Sequence, residues 1–332
     1  MRSLLAPAVV AAALCATSAA AAPAPLSVVD RWAGPDGGWD FSAFDPVHRR
    51  LYVARANGVT AADVDTGQVT SLLTANRTHA AIPVNDGAEV LVTEGATGRA
   101  LIADARSGAV RAAIAVGKKP DAALVEPVTG LALVLDNAGG GVTLIDPRAA
   151  KAIGQIATPG ALESAVADGA GRVFANVEDL GEITVIDVKA RKVVAHWKLN
   201  GCSSPSGLAY TPKAGLLVAA CANRIAKVVS AETGEAVADL PIGGRPDWAG
   251  YCAKTDTVLI PSGEDGIVNV VGFGAAPTVV AKVSGHPGSR SGAIDPKTGK
   301  LYLPSADFTP VPGGRPQAAA GTFKILVLGP SG

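Results

Sequence analysis

Apolar residues along the chain come in short runs, and each run ends in a polar turn that contains Asp, Glu, Gly or Pro. Some runs alternate apolar and polar side chains, which is typical of a half-buried strand. Others are apolar throughout, which is typical of a fully buried strand. The turn residues are those that adopt tight backbone conformations easily. The pattern therefore predicts an all-β protein of many short strands, with no sustained helix.

The turns recur with a period of about 42 residues, which is the length of one four-stranded blade in a β-propeller. We name the four strands of each predicted blade A to D, in chain order. Seven A strands are predicted to start near Asp40, His79, Asp121, Glu163, Ser206, Asp247 and Arg290.

The last blade lacks a fourth strand, because the chain ends after its strand C. Residues 28–32 match the pattern of a D strand, and a strand supplied from the N-terminus would leave no open sheet edge. We therefore predict a seven-bladed β-propeller with four antiparallel strands per blade, closed by this N-terminal strand. One domain spans residues 22–332.

Three segments resemble the YVTN-type repeat of secreted seven-bladed propellers. Residues 51–54, 183–187 and 216–219 read Leu-Tyr-Val-Ala, Ile-Thr-Val-Ile-Asp and Leu-Leu-Val-Ala, so none carries the full Tyr-Val-Thr-Asn motif. The chain resembles in particular the YncE-like family of bacterial periplasmic proteins, over essentially its whole mature length. The resemblance implies the propeller fold and export. It implies little about function, because one propeller scaffold hosts many unrelated activities.

Residues 1–21 have the composition of a secretory signal peptide. Arg2 provides a positive start, residues 4–14 are apolar, and Ala19 and Ala21 form a small-x-small cleavage site. No later stretch reaches the roughly 18 apolar residues that a membrane helix needs. We therefore expect a periplasmic or secreted chain that starts at Ala22 and has no membrane span.

Three cysteines remain after the signal peptide, and their spacing matches no CxxC or zinc motif. Cys202 precedes strand A of blade five, and Cys221 ends strand B of the same blade. Antiparallel pairing brings those two strand ends together, which predicts a Cys202–Cys221 disulfide. Cys252 falls at the opposite face and is expected to remain a free thiol.

The composition argues against nucleic-acid binding, and the residues present suggest no catalytic site. Lys and Arg together number 29, as do Asp and Glu, and aromatic residues make up only 4% of the chain. Nucleic-acid binding needs a surplus of basic side chains or a series of stacking aromatic rings. No nucleophile, base and orienting residue can be assigned together, so no catalytic residue is predicted.

The candidate site comes from superposing the seven repeats. Strand A lines the central channel of a propeller, so the first residues of the seven A strands should form a ring at one channel mouth. With His79 neutral this ring has a formal charge of −3. A mouth lined by one sign of charge attracts cations. We predict that the ligand-binding residues are Trp39, Asp40, His79, Asp121, Glu163, Asp247 and Arg290.

A divalent cation is the cofactor that such a ring suggests, because hard cations prefer several oxygen ligands. The candidate metal ligands are Asp40, Asp121, Glu163 and Asp247. Residues 306–321 form a second feature, a long loop rich in Pro and Gly between strands B and C of the last blade. Its length suggests either a lid or docking element at the same mouth or an insertion without a role.

The leading hypothesis is a non-catalytic periplasmic binding or scaffold protein that uses the channel-mouth face. Its partner would be an unidentified protein, peptide or small ligand, and we expect the protein itself to be a monomer. One alternative is a metal-dependent hydrolase or lyase of the lactonase type, in which His79 or Glu163 would act as the base. A second alternative is the binding of single-stranded DNA, against which the neutral charge counts.

Overall fold

The computed structural model describes residues 26–311 and 316–330, so the predicted signal peptide lies outside it. These residues form thirty β-strands, and no helix among them is long and apolar enough to cross a membrane. Seven four-stranded antiparallel sheets make up a seven-bladed β-propeller, which confirms the fold predicted from the period. In blades one to six the four strands pair in chain order.

The first three blades have strands of similar length. Blade one consists of β2 (Trp39–Asp45), β3 (Arg50–Arg55), β4 (Gly58–Asp63) and β5 (Val69–Thr74). Blade two consists of β6 (Thr78–Val84), β7 (Glu89–Glu94), β8 (Arg99–Asp104) and β9 (Val110–Ala115). Blade three consists of β10 (Pro120–Val125), β11 (Ala132–Asp136), β12 (Gly141–Asp146) and β13 (Lys151–Ala157).

The next three blades follow the same plan. Blade four consists of β14 (Leu162–Ala167), β15 (Arg172–Val177), β16 (Glu182–Asp187) and β17 (Lys192–Lys198). Blade five consists of β18 (Pro205–Thr211), β19 (Leu216–Cys221), β20 (Ile225–Ser230) and β21 (Ala236–Pro241). Blade six consists of β22 (Gly250–Cys252), β23 (Thr257–Ser262), β24 (Ile267–Phe273) and β25 (Pro277–Ser284).

Blade seven combines both ends of the chain. It consists of β26 (Ala293–Ile294), β27 (Leu301–Ser305), β30 (Lys324–Pro330) and β1 (Leu26–Ala33), while β28 (Phe308–Thr309) and β29 (Gln317–Ala318) form a small separate hairpin. Strand β1 pairs antiparallel with β30, with Leu26 opposite Pro330 and Ala33 opposite Lys324. The predicted closure of the ring by the N-terminal strand is therefore confirmed.

Burial across a blade follows from its position between two neighbours. Strands B and C are covered on both faces, so nearly all side chains of β15 and β16 are buried. Strand D lies at the outer rim, and the residues of β17 alternate between exposed and half-buried. Burial on both faces explains why strands B and C read as continuous apolar runs, whereas the D strands alternate.

The strands A of blades six and seven differ from the prediction. They contain only three and two residues, and they begin three residues after Asp247 and Arg290. The N–H of Asp247 donates to the carbonyl oxygen of Arg290, at 3.2 Å, and so bonds to the next blade, while the preceding Pro246 still forms an isolated bridge with Ser262 of strand B. The two residues keep their place at the mouth although they precede the strands.

The structure contains the predicted disulfide between Cys202 and Cys221, whose Cα atoms are 5.4 Å apart. Pro205 pairs with Cys221 in the A–B ladder of blade five, which brings the preceding loop to the end of β19. Cys252 is a free and buried thiol in the core between blades six and seven. The bridge fastens the loop before β18 at the same end of the propeller as the acidic ring.

Candidate functional site

A β-bulge positions each of the first ring residues. In blades one to four the A–B register shifts within the stretch that contains the ring residue, as between Trp39 and Ser42 in blade one. The corresponding shifts contain His79, Asp121 and Glu163. A bulge redirects a side chain relative to the regular pleat. The repeated bulge therefore turns these side chains toward one another at the mouth.

Asp40, His79 and Asp121 form the tightest group of the ring. The Nδ1 atom of His79 lies 2.6 Å from Oδ2 of Asp40 and 3.6 Å from Oδ1 of Asp121. One ligand atom from each of the three residues lies within 4.8 Å of the other two, which is close enough for all three to hold one metal ion. Asp121 is almost fully buried, with 4% of its surface exposed.

The imidazole of His79 is held in place by the backbone of the next loop. A Cβ atom added at Gly95 would lie 2.5 Å from Cδ2 of His79, so only glycine leaves room for the ring there. His79 is 9% exposed, and its Nε2 atom has no hydrogen-bond partner in the described structure. The position of His79 between two carboxylates therefore depends on a residue far from it in sequence.

Asp247 and Arg290 form a second pair on the other side of the ring. The guanidinium Nε of Arg290 donates to Oδ2 of Asp247 at 2.6 Å. Ser206, the ring residue before Asp247, donates its hydroxyl to the carbonyl oxygen of Pro246 at 2.8 Å and so links blades five and six. Arg290 therefore neutralises the carboxylate of Asp247, and the hydroxyl of Ser206 stabilises the contact between the two blades.

Glu163 has no cationic partner among the described residues. Its Oε2 accepts one hydrogen bond, from the amide of Asn137 at 3.3 Å. Burial, together with the negative charges of Asp121, Asp247 and Glu178, raises the pKa of Glu163 to about 9. Because burial and the surrounding carboxylates outweigh the attraction of Arg290, Glu163 holds a proton at neutral pH unless a cation enters the mouth.

The pKa values of three further ring residues are also raised. Burial raises the pKa of Asp121 to about 7, since the lowering effect of His79 is opposed by Asp40 and Asp247. Burial also raises the pKa of Asp247, against the lowering effect of Arg290. For His79 burial acts downward, but the hydrogen bond to Asp40 and the charge of Asp121 outweigh it and raise its pKa.

Glu178 is a member of this charge cluster that sequence reasoning missed. It follows the end of β15 in blade four, and its charge contributes to the raised pKa values of Glu163 and Asp247. Its position in the sequence could have indicated this, because the loop between strands B and C reaches the same mouth as the start of strand A. Charged residues of those loops should therefore be counted with the ring.

The two tryptophans beside the ring have different environments. Trp39, predicted to contact the ligand, is only 8% exposed and packs against Phe308 and Phe323 in the core between blades one and seven. Trp39 therefore fills space between blades one and seven, and its contact with a ligand stays a prediction. Trp248, which follows Asp247 in sequence, lines the cavity between the A strands.

The long insertion is attached to the mouth face of blade seven. Asp307 forms ion pairs with His286 and Lys324, each at 3.0 Å, and the N–H of Gly321 donates to Asp36 at 2.7 Å. Phe308, on its short hairpin, contacts Trp39. Residues 312–315 lie outside the described structure. The described part of the insertion is therefore packed on blades seven and one, at the end of the molecule that carries the ring.

Comparisons with known proteins agree with the fold. No family model matches the chain, and no curated protein matches it in sequence. Among solved structures it is similar to a chain of Kuenenia stuttgartiensis hydrazine synthase, with 16% identity, coverage of 88% of this chain and 96% of that one, and a TM-score of 0.69.

A chain of the mitotic checkpoint complex is similar over 98% of this chain and 99% of its own, with 15% identity and a TM-score of 0.76. Likenesses at such low identity show the fold alone, because one propeller scaffold carries many unrelated functions. The proposed assignment to YncE-like proteins therefore stays a prediction.

Proposed function

We propose that this protein is an exported, non-catalytic binding propeller that takes a positively charged ligand at its acidic channel mouth. The observation that carries the proposal is Glu163, a partly buried carboxyl group that forms no ion pair among the described residues and accepts one long hydrogen bond, from Asn137. A buried carboxyl without a partner is costly, and a bound cation would remove that cost. The propeller fold fits a binding or scaffold role in general.

The location in the periplasm or outside the cell forms part of the proposal. The apolar leader over residues 1–21 and the YVTN-type segments support export and a place among YncE-like propellers. A disulfide between Cys202 and Cys221 fits an oxidising compartment.

Binding should depend on the two carboxyl groups of the ring that have neither an Arg partner nor a hydrogen bond to His79. Asp121 and Glu163 are the residues to change, because Asp247 already has Arg290 as its partner. Asn and Gln preserve the shape of the side chains and remove their charge. We expect the Asp121→Asn/Glu163→Gln protein to fold and to lose cation binding, since a ligand that binds only the folded state stabilises it by mass action.

The test is a thermal-shift titration at pH 8.5 with ethylammonium, Ca²⁺ and Zn²⁺ as separate probes. The wild-type protein should be stabilised by at least one of them, and the double variant should not respond. A matched control is Asp86→Asn/Glu235→Gln, which removes two exposed carboxylates away from the mouth. An equal response in the wild type and the ring variant, or no response to any probe, would contradict the proposed function.

A further inference from the structure

The central channel has two ends of opposite chemical character. At one end lie the carboxyl groups of the ring, and a cavity of about 160 Å³ lies between the A strands, lined by residues that follow the ring in sequence. The residues that line this cavity are small or apolar, and they include Phe41, Ala122 and Trp248. Each of these three residues directly follows a ring carboxylate in sequence, so charge gives way to apolar surface within one residue.

The cavity continues into a wide funnel at the opposite end of the channel. Ser42, Ala165 and Trp248 line both spaces, and the funnel has a volume of about 690 Å³. Aromatic rings and prolines of several blades line it. Asp168 is the one charged residue of that lining, and it is already paired with Arg172 at 2.8 Å. The funnel therefore offers apolar contacts and almost no free charge.

A polar group inside the channel has no partner. The hydroxyl oxygen of Ser42 is buried and forms no hydrogen bond within the described structure, although Ser42 borders both the cavity and the funnel. Buried polar groups are usually satisfied. An alkyl chain cannot satisfy this hydroxyl, so we expect a water molecule to remain beside Ser42 when the channel is occupied.

Building on the proposed function, we propose that the ligand is a linear primary alkylammonium, bound with its ammonium group at the ring and its alkyl chain in the channel. The ammonium group would donate hydrogen bonds to Asp121 and Glu163, and the chain would lie along the small side chains below. The two parts of the site match the two parts of such a molecule.

This arrangement disfavours two other kinds of cation. A metal ion would use the carboxylates but would leave the apolar cavity unfilled. A diamine would place its second charge in the apolar channel, where a charge without a partner is costly. The channel should therefore select a single charge with an apolar tail.

The experiment is a calorimetric titration of the full mature protein with ethyl-, butyl- and hexylammonium at pH 8.5. Burial of methylene groups predicts that affinity rises about fourfold for each one added. The diamine 1,6-diaminohexane should bind more weakly than hexylammonium. If affinity is the same for all three chain lengths, or if the diamine binds as tightly as hexylammonium, the inference is wrong while the proposed function stands.

A channel variant locates the tail. Ala165→Leu fills space that borders both the cavity and the funnel, and it should abolish the gain from chain length while ethylammonium binds as before. Ala113→Leu, on the exposed outer strand β9, is the matched control and should leave the chain-length series unchanged. If Ala165→Leu does not fold, the wild-type series alone decides the question. If no ammonium ion binds at all, the inference is wrong, and the proposed function fails with it only if Ca²⁺ and Zn²⁺ give no thermal shift either.

Discussion

Replacing Glu163 with Gln should stabilise the protein at neutral and alkaline pH and leave its stability at pH 4 nearly unchanged. The structure holds the pKa of Glu163 at about 9, against a reference value of 4.5. At a pH between 4.5 and about 9, the carboxyl group of Glu163 is ionised in the unfolded chain and protonated in the folded protein. The folded state then binds more protons than the unfolded state, so the free energy of unfolding falls as the pH rises.

The magnitude follows from the size of the pKa shift. Each pH unit between 4.5 and 9 costs about 1.4 kcal/mol of stability for one such group, so the cost at pH 7 reaches about 3 kcal/mol. That figure is an upper limit, because water entry and side-chain relaxation reduce the cost of a buried charge. Gln can still accept the hydrogen bond from Asn137, so the exchange removes the charge and keeps the contact.

Urea denaturation at pH 4, 7 and 8.5 measures this effect directly. The variant should exceed the wild type by a margin that grows with pH, toward about 3 kcal/mol at pH 7. Glu235→Gln, an exposed position on the outer surface, should show no such trend. A difference between Glu163→Gln and wild type that is constant from pH 4 to 8.5 would refute the reasoning.

Three further predictions concern the ring closure, the disulfide and the packing around His79. Deletion of residues 22–33 removes the strand that pairs with β30, and light scattering should show aggregation, because a bare sheet edge recruits other chains; a monomeric deletion variant would contradict this. Reduction of the Cys202–Cys221 bridge should lower the free energy of unfolding by about 3 kcal/mol in urea, and an unchanged midpoint would speak against it. Gly95→Ala should displace His79 and cost roughly 1–3 kcal/mol of stability; a neutral effect in thermal denaturation would show that the imidazole has room to move.

Much of the fold could be predicted because it repeats. The turn clusters and apolar runs recur with one period, so the seven blades, the closing strand and the disulfide all followed from the order of strands. The convergence of Asp40, His79 and Asp121 followed as well, because equivalent residues of a propeller meet at one mouth. Because the blades repeat, equivalent positions in the sequence predict which residues are neighbours in the structure.

The charge state of the ring could not be predicted in the same way. The ion pair between Asp247 and Arg290 depends on residues that precede the strands A of their blades, and the direction of the Glu163 side chain depends on the bulge in blade four. Trp39 lies beside Asp40 in sequence, yet it packs in the core against Phe323. The repeat predicts how far along the channel axis a residue lies. The local backbone conformation decides whether its side chain faces the channel or the neighbouring blade.

The exchange of a proton for a cation at the mouth is the central claim, and one calorimetric measurement tests it most directly. Ethylammonium is titrated into the wild-type protein at pH 8 in two buffers that differ in ionisation enthalpy. At this pH Glu163 still holds most of its proton, so binding should release about one proton and the observed heat should differ between the buffers. The Glu163→Gln variant should lose that difference. Binding with the same heat in both buffers, or no binding by the wild-type protein, would contradict the account.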